Sequence, residues 1–312
     1  MVNQSPIDPN AFRLTREWHT PCYDKLGEIG WAEGFGVIGH GARIGIRASQ
    51  TGYIDALRAR LPARLERYDG GQFDAVLSLI VGGPQPGSRI KRFHLAYHNH
   101  TQIARSHRLE DALDRFEAFF SVSVATLAPD HVFVHAGAVA WQGQAILLPG
   151  RSYTGKSTLV EALVRAGATY LSDEFAVLGG GDQVYPYPKP ISLRLGKDGS
   201  QVDVEVGSIG GRVCRGPVPA RMVVSTNFAE GAAWRPQVLS PGEGLLAMLA
   251  NCPAAHHAPS RVLAALEGVA SRAVVLASPR GEAADVAPQI LDALSSQQGG
   301  RTHGAAMTLS TP

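Results

Sequence analysis

Cysteine is scarce in this chain of 312 residues: only Cys22, Cys214 and Cys252 occur, with no C-x-x-C pair among them. An odd, widely spaced set builds neither a disulfide framework nor a zinc site, so a reducing cytosol is the expected compartment. Charge of one sign is missing as well. The 29 basic and 27 acidic side chains leave a formal net charge of +2, which gives no electrostatic footprint for nucleic acid or an anionic membrane. No apolar run approaches the roughly 20 residues that span a bilayer. The stretch Met1 to Asn10 is polar, with two prolines and no apolar core of a signal peptide. The chain also lacks internal repeats and long low-complexity segments. These absences describe a soluble cytoplasmic protein with neither nucleic acid nor membrane as partner.

What is present is ordinary in bulk and informative in places. The hydrophobic fraction of 45% and the charged fraction of 18% are those of a globular protein, and the length allows two domains. Residues 1–130 are expected to form a small α/β module. In it, Glu28 to Ser49 reads as a glycine-rich hairpin, Ile54 to Tyr68 as a helix interrupted by Pro62, and Phe73 to Val81 and Arg92 to His98 as strands. Leu109, Leu113, Phe116, Phe120, Val124 and Leu127 recur at helical spacing and predict a helix with one buried face. No catalytic constellation is evident there, so the module is expected to serve acceptor recognition; a homo-oligomer of the whole chain stands as a separate expectation. Residues 131–295 begin a second register, with strands at Val132 to Ala140, Ala145 to Pro149, Thr169 to Leu171, Arg221 to Thr226 and Ala273 to Ala277. Helices are expected at Gly242 to Asn251, Ser260 to Val269 and Ala284 to Leu294. Residues 296–312 are expected to be a disordered tail.

The segment Gly150-Arg151-Ser152-Tyr153-Thr154-Gly155-Lys156-Ser157 fits G-x-x-x-x-G-K-[ST]. It lies between an apolar strand and the helix-like run Thr158 to Val164. A strand delivers the chain, the turn aims successive N–H groups inward, and the helix N-terminus adds its positive dipole end. Lys156 would reach the β- and γ-phosphates and the Ser157 hydroxyl would ligate Mg²⁺. The strand from Thr169 delivers Asp173 and Glu174 at its C-terminal end, the edge at which ligands of open α/β sheets bind. Carboxylates there can hold Mg²⁺ or orient a nucleophile, both of which phosphoryl transfer requires. His135 stands in the strand before the loop; a lone histidine in an apolar strand is by itself more often a core residue.

Taken together, His135-Ala136-Gly137, the loop from Gly150 to Ser157, and Ser172-Asp173-Glu174 resemble the catalytic domain of bacterial HPr kinase/phosphorylase. The histidine precedes the first loop glycine by fifteen residues, and the acidic pair follows Lys156 by seventeen and eighteen. The resemblance covers about Val132 to Leu178. It implies a P-loop kinase domain of the HPr kinase/phosphoenolpyruvate carboxykinase type, using ATP and Mg²⁺ to phosphorylate a serine of a small protein or precursor peptide. Asp173 would then serve the acceptor hydroxyl, Glu174 would support the metal or substrate, and His135 would position the acid or the phosphates. The chain departs from the family at Tyr153, where glycine is usual. The arginine/glycine-rich signature of phosphorolysis is not recognisable either, Arg212, Gly216 and Arg221 being loose candidates. Both departures argue against phosphorylase activity and against HPr as acceptor.

Two rival readings stand beside the serine kinase: a nucleotide-binding switch or assembly protein with little transferase activity, and a kinase of small metabolites. Other features carry less. His98-Asn99-His100 and His256-His257 have no carboxylate or cysteine partners placed around them and read as turns or loops. Tyr185 to Pro190 reads as a rigid connector, from which Lys189 and Arg194 could face phosphates.

Overall fold

The computed structural model describes residues 7–8, 11–14, 26–62, 65–84, 91–150, 154–195 and 200–305. The chain divides into two compact units, Met1–Asp130 and His131–Pro312.

In the first unit, β1 (Glu33–Gly39) and β2 (Ala42–Ala48) form an antiparallel hairpin closed by His40 and Gly41, both at positive φ. Helix α1 covers only Ile54–Ala59 and is followed by strand β3 (Glu66–Tyr68), which pairs with β1. Of the helical spacing expected over 54–68 with an interruption at Pro62, only the part before the proline forms a helix, and the part after it ends in a strand. Pro62 cannot continue the hydrogen-bond ladder and disfavours helical geometry at Leu61 before it. Strands β4 (Ala75–Ile80), β5 (His94–His98) and β6 (Thr101–Ser106) complete a six-stranded sheet in the order β6-β5-β4-β2-β1-β3. His98 ends β5, and Asn99-His100 form the turn into β6. Asn99 lies at φ 53°, and its side-chain oxygen accepts the Val76 N–H at 2.8 Å. Helix α2 (Leu109–Leu127) buries Leu113, Phe116, Phe120 and Val124 against the sheet, as its apolar spacing predicts.

The second unit centres on β7 (Val132–Trp141) and β8 (Gln144–Pro149), an antiparallel pair. Helix α3 (Lys156–Arg165) follows. The far side of β7 then receives both β9 (Thr169–Ser172) and β10 (Phe175–Gly179). Next come β11 (Gln183–Tyr185) and the hairpin β12 (Ile191–Leu195) and β13 (Ser200–Val204). After these, β14 (Val218–Ser225) pairs in parallel with β8 and antiparallel with β11. The pairing β8-β7-β10-β11-β14 therefore closes on itself. Strand β15 (Gln237–Leu239), helices α4 (Pro241–Leu249) and α5 (Pro259–Ala270), strand β16 (Val274–Ala277) and helix α6 (Ala283–Ala305) follow. Strand β16 lies parallel to β14.

Helices pack on both faces of the strands. On one, Met248, Val262, Leu266 and Val269 of α4 and α5 meet Val134, Ala136, Leu147 and Val223. On the other, Leu159, Leu163, Ile290 and Leu294 of α3 and α6 meet Val139, Ile146, Met222 and Leu276. Gly137 in β7 permits the close approach of α3: a Cβ there would lie 2.5 Å from Val160. Helix α6 runs on to Ala305, through the first part of the segment expected to be a disordered tail; the Ser295 and Ser296 hydroxyls bond back to the carbonyls four residues earlier. Among the described residues, no helix is long and apolar enough to cross a membrane.

Candidate active site

Strands β8, β14 and β16 are parallel, and β9 runs the same way because it is antiparallel to β7. Their C-terminal ends thus share one edge with the beginning of β7, where Ala136 stands opposite Pro149. That register places His135, Gly150 and Ser172 together before any side chain is considered. The Gly150 N–H donates to the His135 carbonyl at 3.4 Å, and the Ala136 N–H donates to the Glu174 carbonyl at 3.3 Å.

Of the loop residues singled out by sequence, Gly150, Thr154, Gly155, Lys156, Ser157 and Thr158 are described; Ser152 and Tyr153 lie outside the described residues. Gly155 is the N-cap of α3 at φ 82°, ψ 21°, a left-handed conformation that favours glycine. A Cβ on Gly155 would also lie 2.7 Å from Nη2 of Arg280. No side chain of the N-cap Gly155 caps α3 and its first turn holds no acidic residue, so the positive dipole end of the helix suits an anion. Lys156, the first helical residue, reaches back towards Gly150, its Cδ 3.6 Å from where a Cβ on Gly150 would stand.

The acidic pair is placed by Ser172. Its hydroxyl oxygen accepts the N–H groups of Glu174 at 3.2 Å and Phe175 at 3.0 Å, tightening the turn between β9 and β10. Asp173 accepts the Ser192 N–H on Oδ2 at 3.1 Å, whereas Oδ1 is buried with no well-aligned hydrogen-bond partner. Burial drives the Asp173 carboxyl up to about 6, and Glu174 pushes the same way; the Ser157 hydroxyl, the Ser192 N–H and Lys156 oppose the rise. Burial lowers Lys156, with Asp173 resisting. Burial and then the Lys156 charge lower His135, which favours the neutral imidazole at pH 7. The mutual influences of Lys156, Ser157, Asp173, Glu174 and His135 define one electrostatic cluster at the strand edge.

Glu174 faces a cation that the sequence brought forward only weakly: its Oε2 lies 2.8 Å from Lys189 Nζ. The segment carrying Lys189 is anchored by the buried Tyr170, whose hydroxyl donates to the Lys189 carbonyl at 2.8 Å. Arg221, a loose candidate for phosphorolysis, is instead held by Asp182 at 2.6 Å. Arg280, which sequence reasoning passed over, is only 1% exposed and donates to the Gly155 carbonyl at 2.6 Å. Its one sequence signal is its position just past the strand at Ala273 to Ala277.

Among the described residues, no group of three or more His, Cys, Asp or Glu side chains could hold a metal ion. The residues nevertheless fit Mg²⁺, which is commonly bound by one or two carboxylates plus substrate phosphates. The unpartnered Asp173 Oδ1 and the adjacent Ser157 hydroxyl supply oxygen donors suited to that ion.

No protein-family model and no curated protein matches the chain. Among solved structures, the chain is similar to the HPr(Ser) kinase/phosphatase from Coxiella burnetii. The TM-score is 0.35 and the identity 14%, over 55% of this chain and 98% of that one. A likeness this distant adds nothing to the residues of the site, whose chemistry follows from their own geometry.

Proposed function

We propose that the second unit is an ATP- and Mg²⁺-dependent kinase that transfers a phosphoryl group to a serine hydroxyl of a small protein or peptide. The observation that carries this reading is Asp173, a buried carboxyl with an unpartnered oxygen, beside the lysine and serine that open a phosphate-binding helix. The loop N–H groups and Lys156 hold the phosphates and stabilise the charge on the group in transfer. Bound Mg²⁺ supplies further neutralisation of the β- and γ-phosphate oxygens.

Asp173, lying near 6, is mostly ionised at pH 7 yet more basic than an ordinary carboxylate. It orients the acceptor hydroxyl and takes its proton late, as the bond from the serine oxygen to phosphorus forms and the bond to the departing diphosphate breaks. Neutral His135 acts as a hydrogen-bonding group rather than a cation. Glu174 holds Lys189 at the rim of the same site.

The test uses labelled ATP with the purified chain and candidate serine-bearing peptides or proteins, including products of neighbouring genes. Label on a serine is expected, together with loss of transfer in Asp173→Asn despite retained nucleotide binding. Transfer by Asp173→Asn at the wild-type rate overturns the assignment. Nucleotide binding with no labelled acceptor favours a nucleotide-dependent switch.

A further inference from the structure

We propose that Phe228 is the stacking platform for the nucleobase of the triphosphate, on the flank of the phosphate loop opposite the acidic pair; this rests on the nucleotide reading above. Strand β8 has two neighbours at the loop edge. On the β7 side stand His135, Asp173 and Glu174, the groups suited to the γ-phosphate and the acceptor. On the β14 side the chain leaves β14 through Thr226, Asn227 and Phe228. A triphosphate lying across the helix N-terminus with its γ-phosphate towards Asp173 directs its nucleoside towards β14 and β16.

The backbone there is fixed. The Phe228 N–H donates to the Thr154 carbonyl of the loop itself at 3.2 Å. Phe228 and Arg280 form a parallel β-bridge, with the Arg280 N–H donating to Asn227 and the Ala229 N–H donating to Arg280. Arg280 is buried, and its guanidinium joins the Gly155 and Gly281 carbonyls at 2.6 and 2.9 Å. One arginine therefore ties the phosphate loop and the β14 and β16 end loops into a single frame.

The aromatic ring on that frame is nevertheless open. Phe228 is 47% exposed, although its Cβ lies 3.5 Å from where a Cβ on Gly155 would stand. The Arg280 guanidinium backs the ring at 5.9 Å from its centroid. Two residues earlier, Thr226 carries a buried hydroxyl with no hydrogen-bond partner. A rigidly held, half-open ring beside a phosphate site, with an unsatisfied hydroxyl at its root, matches the needs of a flat heteroaromatic base with polar edges.

The test separates base from phosphate. Binding of Mg²⁺-ATP and of Mg²⁺-tripolyphosphate is measured by calorimetry on the full chain and on Phe228→Ala, Phe228→Leu and Phe228→Trp. Loss of one stacking partner weakens ATP by about 5- to 150-fold, so Phe228→Ala and Phe228→Leu are expected to lose ATP affinity on that scale. Both should hold tripolyphosphate as the wild type does, and Phe228→Trp should retain ATP. Equal losses for ATP and tripolyphosphate, or no loss for either, overturn the proposal. A wild-type chain that binds tripolyphosphate no more weakly than ATP also overturns it. If the wild type binds neither, the phosphate-loop reading itself fails.

Discussion

The two units handle buried charge in opposite ways. In the first, Arg47 is buried but donates to Ser78 at 2.9 Å and lies 4.3 Å from the Trp31 ring centroid, and the half-buried Arg43 pairs with Asp74 at 2.9 Å. In the second, a carboxyl pushed up, a lysine and a histidine pushed down, and a buried arginine gather at one strand edge. Mutually perturbing groups gather at functional sites more often than elsewhere, although the first unit also lowers the half-buried His98 through burial and the neighbouring His100. The contrast can be tested in order of expected effect.

The largest effect falls on transfer. Asp173→Asn is expected to lower the single-turnover rate by about 100- to 10,000-fold, the range for a positioned acid–base group. The rate should also fall as pH drops through about 6, because protonated Asp173 cannot accept the hydroxyl proton. A flat profile between pH 5 and 8 would break the assignment. Next, Lys156→Ala is expected to weaken ATP binding by roughly 100-fold or more, of the order of losing one preorganised charge contact; calorimetry reads it directly.

Stability should move the other way. Raising the folded pKa of Asp173 from 3.8 to about 6 makes its ionised form a burden to the fold. The stability it contributes is fully present below about pH 4 and lost as pH rises through 6. At pH 7 that burden is on the order of 3 kcal/mol at about 1.4 kcal/mol per unit. Asp173→Asn should therefore melt higher than the wild type at pH 7, and the gain should vanish near pH 4. The smallest effect is expected in the first unit: Asp74→Asn should cost no more than about 1 kcal/mol, as for other partly exposed ion pairs, and leave ATP affinity unchanged.

How far the sequence could be read depended on how local each feature is. The strand ending at Pro149, the helix beginning at Lys156 and the strand ending at Ser172 were legible because each is a short local element with its own apolar pattern. Helix α2 was legible from its repeating apolar positions. Strand β3 was hidden because apolar residues at helical spacing run up to it, and only Pro62 hinted at the break. Arg280 was illegible because its partner Gly155 lies 125 residues away. Phe228 depends on the same long-range pairing. Lys189 lay inside a proline-rich stretch whose composition suggests a connector, while its role depends on the turn that brings Glu174 to meet it.

The closed pairing of β8-β7-β10-β11-β14 bears on how an acceptor is recognised. Strand β8 is occupied by β7 on one side and β14 on the other, so the strand that leads into Gly150 offers no free main-chain ladder. A peptide cannot be read there by adding itself as another strand. Under the proposed serine-kinase reading, the acceptor serine would be presented from above the edge and recognised through side chains, and the same paired edges protect β8 from mispairing with other chains.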